Sequence, residues 1–208
     1  FDSIVPTYDL LNRVLSMGID RSWRSRLVSL AGDINGKPVL DICCGTGDLT
    51  RELAAAGADI HSLDFSFEML KRGAAKGWLS GRNISADAGR LPFKNGSFHS
   101  LAIAFGIRNI PDVDVFLAES LRVLKAGGAL FILELTRPEN RFVRFFYNIY
   151  LTKILPFVGG LFSGKMEAYR YLAGSISTFL DRGALIERIR AAGFSSAEYE
   201  SLTLGTAT

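Results

Sequence analysis

Val39-Leu40-Asp41-Ile42-Cys43-Cys44-Gly45-Thr46-Gly47-Asp48 is the stretch that decides the fold. Residues 38–42 form a short apolar run of the kind a buried strand needs, with an acid near its end. A glycine-rich turn follows, and residues 48–56 read as a helix. Glycine permits positive φ and close approach of the backbone to a ligand. In a doubly wound sheet the ligand crevice lies at the carboxyl ends of the strands, so Asp41 is expected at that rim, beside the turn. A dinucleotide fold is the main competitor. Its fingerprint requires a third glycine, but Thr50 stands three positions after Gly47 and the acid precedes the turn.

Outward from this turn, apolar strands alternate with helices. Further strands are expected at 60–63, 84–86, 100–105 and 129–135. Helices are expected at 67–76, with Ser66 as cap, and at 113–124, with 125–128 as the turn before the next strand. This alternation predicts an α/β fold, a mostly parallel doubly wound sheet. Residues 1–30 read as helical, with Tyr8, Leu10, Leu11, Val14 and Leu15 in one apolar stripe and Trp23, Leu27 and Leu30 in another. Residues 137–175 read as a helical insertion after the fifth strand, 180–192 as a helix ended by Gly193, and 196–204 as a sixth strand. A single domain is expected: a helical cap at 1–36, a core at 37–136, the insertion at 137–175 and a last helix and strand at 176–208. The chain starts at Phe1 without methionine and lacks a strand that would close the sheet, so truncation at both ends is expected.

Two more acids extend the pattern. Asp64 ends the second strand, where a carboxylate suits two ribose hydroxyls. Asp87-Ala88 follows the third, placed for an adenine amino group and ring. A single acid at a strand end is more often a solvated turn residue. Three in succession point to a cofactor crevice, and Asp41 there suits a ligand carrying positive charge and amine donors. S-adenosylmethionine has both.

The order resembles the class I S-adenosylmethionine-dependent methyltransferases, Rossmann-like in fold. Asp41 to Gly47 looks like their first motif, Asp64 their second and Asp87 their third. Val123-Leu124-Lys125-Ala126-Gly127-Gly128 is similar to their late turn, with Ala126 where proline is usual. This resemblance assigns Asp41, Gly45, Thr46, Gly47, Asp64, Asp87 and Ala88 to the cofactor.

Other segments narrow the resemblance. Phe1-Asp2-Ser3-Ile4, Tyr8-Asp9-Leu10-Leu11-Asn12 and Leu15-Ser16-Met17-Gly18-Ile19-Asp20-Arg21 look like the opening of the ubiquinone/menaquinone biosynthesis C-methyltransferases. Phe105-Gly106-Ile107-Arg108-Asn109-Ile110, Leu133-Glu134-Leu135-Thr136 and Glu167-Ala168-Tyr169-Arg170-Tyr171-Leu172 continue the match. The resemblance implies methyl transfer to a ring carbon of a polyprenylated quinol, with demethylmenaquinol or a polyprenyl-benzoquinol as substrate. Arg108 and Asn109 then become the candidate catalytic residues. Arg108 stays protonated, so its role is to stabilise a phenolate or orient a water. The alternative is an ion pair for Arg108 and a turn cap for Asn109. Tyr8, Phe145 and Tyr169 are candidates for the substrate pocket, although a tyrosine such as Tyr8 is more often core.

Composition is compatible with this. The chain has 208 residues, 48% of them hydrophobic and 22% charged, enough for one domain with a large core. Mean hydropathy is +0.20 and the pI about 9.0, with a net charge of +3. Such mild basicity is ordinary in globular enzymes, with an anionic membrane surface or nucleic acid as the alternative. The basic residues are scattered among aromatics without an RNA-binding signature, so no nucleic acid partner is expected. The aromatic and basic segment 137–175 instead suits a cover for a prenyl chain and peripheral contact with a membrane, the alternatives being ordinary core or a homodimer interface. Cys43 and Cys44 are adjacent, which suits neither a disulfide framework nor zinc, so a reducing cytoplasm is expected. His61 and His99 lack partners at metal-ligand spacing, and no metal is expected. Two rival functions are a methyltransferase with another small or lipid acceptor and a non-catalytic lipid-binding protein retaining the fold.

Overall fold

The computed structural model describes residues 16, 18–79, 81–157 and 166–208, with the backbone alone at 166–170. The sheet has five strands, β1 Pro38–Ile42, β2 Asp59–Asp64, β3 Asn83–Ser85, β4 Phe98–Ala104 and β5 Leu124–Leu133. Their order is β3-β2-β1-β4-β5, and every neighbouring pair is parallel. Parallel strands need crossovers, and helices supply them. In chain order the helices are α1 Asp20–Leu30, α2 Asp48–Ala55, α3 Phe67–Ala75, α4 Val113–Val123, α5 Arg141–Ile149, α6 Met166–Thr178 and α7 Arg182–Ala191. This is the expected α/β, doubly wound, Rossmann-like class.

Alternation along the strands divides the core. Leu40, Ile42, Leu101 and Ile103 point to one face and pack with Phe116 and Leu117 of α4 and Leu185 and Ile189 of α7. Val39, Ile60 and Ala102 point to the other and pack with Trp23 and Leu27 of α1 and Leu49 and Leu53 of α2. Both faces are covered, which is why the strands read as continuous apolar runs. Leu30, expected in the apolar stripe of α1, is instead 49% exposed, because it lies in the helix's last turn beyond the sheet-facing residues.

Caps follow the chemistry of the helix ends. Ser66 accepts from Met69 N at 3.2 Å, and Asp112 accepts from Asp114 N and Val115 N. Asn140 likewise accepts from Phe142 N and Val143 N, and Asp181 from Ala184 N. Each satisfies a backbone donor that the first helical turn leaves open.

Three expectations need correction. Residues 125–128, expected as a turn before the fifth strand, lie within β5, which is irregular where Phe98 faces Leu124 and Ser100 faces Ala129. Residues 196–204 form no strand; Thr203–Gly205 is a 3-10 turn. The antiparallel pairing comes from the residues after it. Glu134 N donates to Thr208 O and Thr208 N to Glu134 O, both at 2.9 Å, and Thr136 N donates to Thr206 O at 3.0 Å. The turn reverses the chain and brings residues 206–208 alongside the extension of β5. Among the described residues of the insertion Arg141–Ile149 is helical, and the helix that begins at Met166 runs past the expected end of the insertion to Thr178. α5 continues through a π turn at Tyr150–Ile154. Among the described residues no helix is long and apolar enough to cross a membrane.

Candidate active site

β1 delivers Asp41 to the carboxyl edge of the sheet, fully buried at 1% exposure. One oxygen, Oδ2, accepts from Thr50 Oγ1 of α2 at 2.6 Å; the other, Oδ1, is buried without a partner. Burial pushes this carboxyl up to about 7, with the Thr50 hydroxyl pulling it back and the charge of Asp64 adding to the rise. The turn that follows has positive φ at Cys43, Gly45 and Gly47. Gly47 at φ 91 is also hemmed in, since a Cβ there would lie 2.7 Å from Leu79 Cδ2. Glycine is needed at that position on both counts.

Asp64 ties this turn to β2. Its Oδ2 accepts from Gly45 N and its Oδ1 from Ser66 N, both at 2.8 Å. Thr46, next in the turn, is buried, and its Oγ1 accepts from Lys76 Nζ at 2.9 Å. Asp87 is exposed and accepts from Gly89 N at 2.8 Å, while Ala88 beside it is buried. Ala86 N donates to Asp64 O at 3.1 Å, which holds the Asp87-Ala88 segment against the end of β2. The seven residues expected to hold the cofactor therefore stand on three neighbouring strand ends and the turn between them.

The turn after β4 presses on the glycine loop. A Cβ on Gly106 would lie 2.6 Å from Cys43 Cβ. Phe105, at φ 59, is a non-glycine residue in the left-handed region, and its N–H donates to Leu133 O at 2.7 Å. Strained backbone of this kind persists where the surroundings hold it, and often at functional sites. Arg108 follows in the short 3-10 turn Ile107–Asn109. Arg108 Nη1 donates to Glu134 Oε1 at 2.5 Å and to Phe105 O at 2.8 Å. Its backbone N–H reaches Glu134 Oε2 at 3.3 Å. Glu134 is 2% exposed and also accepts from Leu135 N at 2.7 Å. Arg108 Nε is buried without a partner. The ion-pair alternative for Arg108 is therefore the observed arrangement. Asn109 Oδ1 accepts from Tyr171 Oη of α6 at 3.2 Å.

Arg108 lines a cavity of about 470 Å³. Its other walls are α1 with the residues before it (Ser16, Asp20, Trp23), α5 with its continuation, Phe105, Leu135, Leu172 and the Thr203–Thr206 segment. From α5 come Phe142, Val143, Phe146 and Tyr147, followed by Tyr150 and Leu151, spaced three and four apart on one helical face. Phe145 falls off that face. It is 61% exposed and is not among the residues that line this cavity. Burial raises the Tyr147 phenol well above its ordinary value, so it remains a proton donor. Tyr8 lies outside the described residues, and Tyr169 is described only as backbone in α6. Among the described residues no three His, Cys, Asp or Glu side chains are grouped as metal ligands.

Glu134 was missed as a site residue, although it stands in the Leu133-Glu134-Leu135-Thr136 segment quoted for the resemblance; the expected strand at 129–135 took it as interior, whereas β5 ends at Leu133 and leaves it at the strand end. Tyr171 stands in the Glu167–Leu172 segment quoted for the resemblance but was not singled out, and Tyr147 carried no local signal beyond an aromatic-rich segment.

The chain matches the ubiE/COQ5 methyltransferase family over residues 1–208. A demethylmenaquinone methyltransferase of Thermus thermophilus is 45% identical over 212 residues, which cover 100% of this chain and 96% of that protein. One from Thermotoga maritima is 46% identical, covering 93% of this chain and 86% of the relative. A ubiquinone/menaquinone biosynthesis C-methyltransferase UbiE of Geotalea daltonii is 42% identical, with 100% and 92% covered. Among solved structures, a SAM-dependent methyltransferase of Thermotoga maritima superposes with a TM-score of 0.68 at 21% identity, covering 94% of this chain and 80% of that one. A phosphoethanolamine N-methyltransferase of Haemonchus contortus in complex with S-adenosylhomocysteine gives 0.65 at 21% identity, over 86% of this chain and 38% of that one. The structural matches establish the fold, and the sequence matches the family: this chain belongs to the ubiE/COQ5 methyltransferase family and is an S-adenosylmethionine-dependent methyltransferase.

Proposed function

We propose that the enzyme methylates a ring carbon of a polyprenylated quinol, demethylmenaquinol or the related benzoquinol, in quinone biosynthesis. The observation that carries this reading is Arg108. Its guanidinium is buried beside an apolar cavity, is held by Glu134, and keeps one N–H without a partner. An oxygen anion at the end of an apolar molecule would satisfy that donor. The names of the relatives point to the same substrate class.

The donor residues fit S-adenosylmethionine. Asp41 Oδ1 is a buried acceptor without a donor, and the ligand offers an ammonium. We read Asp64 as the partner of the ribose hydroxyls and Asp87-Ala88 as the adenine site, since they stand at the ends of β2 and β3 beside the glycine turn. When bound, the donor supplies an electrophilic methyl group on a sulfonium. The chain's own residues do the rest. Arg108 stabilises the phenolate, which pushes electron density onto its ortho carbon, while Glu134 fixes the guanidinium at the right place. Asn109 has its oxygen engaged by Tyr171, which leaves its amide N–H groups to bond a quinol oxygen or a water that takes the proton. The cavity wall of α5 excludes water and aligns ring and donor. The prenyl chain follows the aromatic wall outward, and exposed Phe142, Phe145, Phe146, Ile154 and Phe157 make the peripheral contact with a membrane surface.

A methyl-transfer assay with demethylmenaquinol and with the benzoquinol tests this directly. Arg108→Ala should lower turnover about a hundredfold, the size of effect seen when one donor to a developing oxyanion is lost. Donor affinity should stay within about twofold. Full turnover in this variant, or transfer to neither quinol by the wild-type enzyme, overturns the proposal.

A further inference from the structure

The polar side chains on the cavity beside Arg108 fall into two groups. Those of the first have partners. Ser16 Oγ donates to Asp20 Oδ1 at 2.6 Å, Asp20 also accepts from Arg24, and Trp23 Nε1 donates to Thr203 Oγ1 at 2.8 Å. Tyr150 is engaged as well. The second group is Arg108, whose buried Nε is unmet, and Tyr147, whose hydroxyl makes no hydrogen bond to a described residue. The Tyr147 side chain is half-buried but its hydroxyl is not sealed in, so a ligand in the cavity can reach it.

The hydroxyl is what sets this position apart. Phe142 and Phe146 share the face of α5 that walls the cavity, where phenylalanine packs without a polar group. A hydroxyl taken out of water without a partner costs free energy, and a buried tyrosine hydroxyl usually finds one. The Tyr147 phenol lies close enough to Arg108 and Glu134 to feel both charges, and burial keeps it protonated, hence a donor. Two donors therefore reach the cavity from different elements, Arg108 from the turn after β4 and Tyr147 from α5. A 1,4-diol ring carries two oxygens at opposite ends, which donors on separate elements can hold at once.

We propose that Tyr147 reads the second oxygen of the acceptor ring: its hydroxyl donates a hydrogen bond to the oxygen opposite the one that Arg108 holds. This rests on the quinol reading of the cavity and adds a specificity-determining residue to it. Arg108 holds the oxygen that becomes the phenolate, ortho to the carbon that is methylated. Tyr147 holds the other, which stops the ring turning in its plane and keeps that carbon in line with the methyl donor. The contact selects a ring oxygenated at both ends over a simple phenol, since a mono-ol leaves the Tyr147 hydroxyl unpaired.

Methyl-transfer kinetics with a matched pair of acceptors test this. 2-Prenyl-1,4-naphthalenediol carries both oxygens; 3-prenyl-1-naphthol keeps the hydroxyl next to the reacting carbon and lacks the other. Tyr147→Phe retains the ring in the cavity wall. It should lower kcat/KM for the diol about tenfold and leave the mono-ol within about twofold. Where the mono-ol turns over too slowly, calorimetric titration of both acceptors into the S-adenosylhomocysteine-bound enzyme gives the same ratio. Equal loss on both acceptors assigns Tyr147 to packing or to the oxygen that Arg108 holds, and overturns the proposal. Unchanged behaviour towards both overturns it as well. Wild-type enzyme that neither methylates nor binds either acceptor overturns the quinol reading itself, and the contact falls with it; wild-type activity on the diol with an unchanged ratio in Tyr147→Phe overturns the contact alone.

Discussion

Burial takes the Asp41 carboxyl up to about 7, against an ordinary value near 4. Between about pH 4 and 7 the folded chain holds the proton that the unfolded chain has already lost. The contribution of Asp41 to stability is therefore fully present below about pH 4 and is lost as pH rises through about 7. Donor binding should run the other way, because an ammonium needs the ionised carboxylate. Affinity for the donor should fall as pH drops through about 7, and Asp41→Asn should flatten both profiles, read by urea denaturation and calorimetry. A profile unchanged in Asp41→Asn assigns the pH dependence elsewhere. Asp64 joins the glycine turn to the end of β2, and the proposed ribose contact rests on the same carboxylate. Asp64→Ala should weaken S-adenosylmethionine binding by about 1.5–3 kcal/mol, the range for hydrogen bonds to a charged group. Unchanged affinity in a folded Asp64→Ala protein sinks that assignment.

α5 is the element on which the lipid reading turns. One face, Phe142, Val143, Phe146 and Tyr147, walls the cavity, yet Phe142, Phe145 and Phe146 remain 73%, 61% and 54% exposed. The rings of Phe142 and Phe146 sit 4.8 Å apart, and those of Phe145 and Phe146 5.4 Å, an apolar cluster open to its surroundings. Arg141 and Arg144 are exposed on the same helix, as an anionic lipid surface requires. Serine at 142, 145 and 146 together should abolish flotation with anionic liposomes and lower activity on long-tailed quinol more than on a tail-free one. Wild-type protein that stays with the unbound fraction, together with equal loss on both quinols in the triple variant, refutes the membrane contact.

At the scale of the whole molecule, Arg182 joins the last helix, the insertion and the end of the chain. It is 8% exposed and bonds Gly205 O at 2.6 Å, Thr208 Oγ1 at 2.7 Å, Glu139 Oε1 at 2.8 Å and Thr136 Oγ1 at 3.1 Å. Gly205 has φ 84, in the left-handed region that favours glycine, and a Cβ there would lie 2.8 Å from Arg182 Nη2. Beside it Thr203 and Leu204 adopt positive φ, and Thr203 Oγ1 accepts from Trp23 Nε1 at 2.8 Å. This segment closes one side of the apolar cavity. Arg182→Ala should cost about 1–3 kcal/mol through the buried acceptors it leaves unpaired. Amide exchange at residues 202–208 and 134–136 should accelerate together. Acceleration confined to α7 contradicts the proposed coupling.

The sequence by itself determined the parallel sheet, its strand ends and the acids that stand on them. Those features depend on local constraints: apolar runs that can only be buried on both faces, glycines that alone accept the turn, and carboxylates placed within a residue or two of a strand end. Tertiary structure decided the rest. Arg108 and Glu134 are 26 residues apart, and only the strained turn at Phe105 and the parallel register of β4 with β5 make them partners. Arg24 and Glu52 belong to separate helices, so the spacing of Ser16, Asp20 and Arg24 reads as polar interruption until the fold buries it. Phe145 was indistinguishable by composition from Phe142 and Phe146; which face of α5 meets the cavity depends on how the helix is docked. Residues 196–204 have strand-like composition, but residues 206–208 take the edge position because pairing needs a free partner and a reversal of the chain, and these are properties of three-dimensional neighbours that no local pattern encodes.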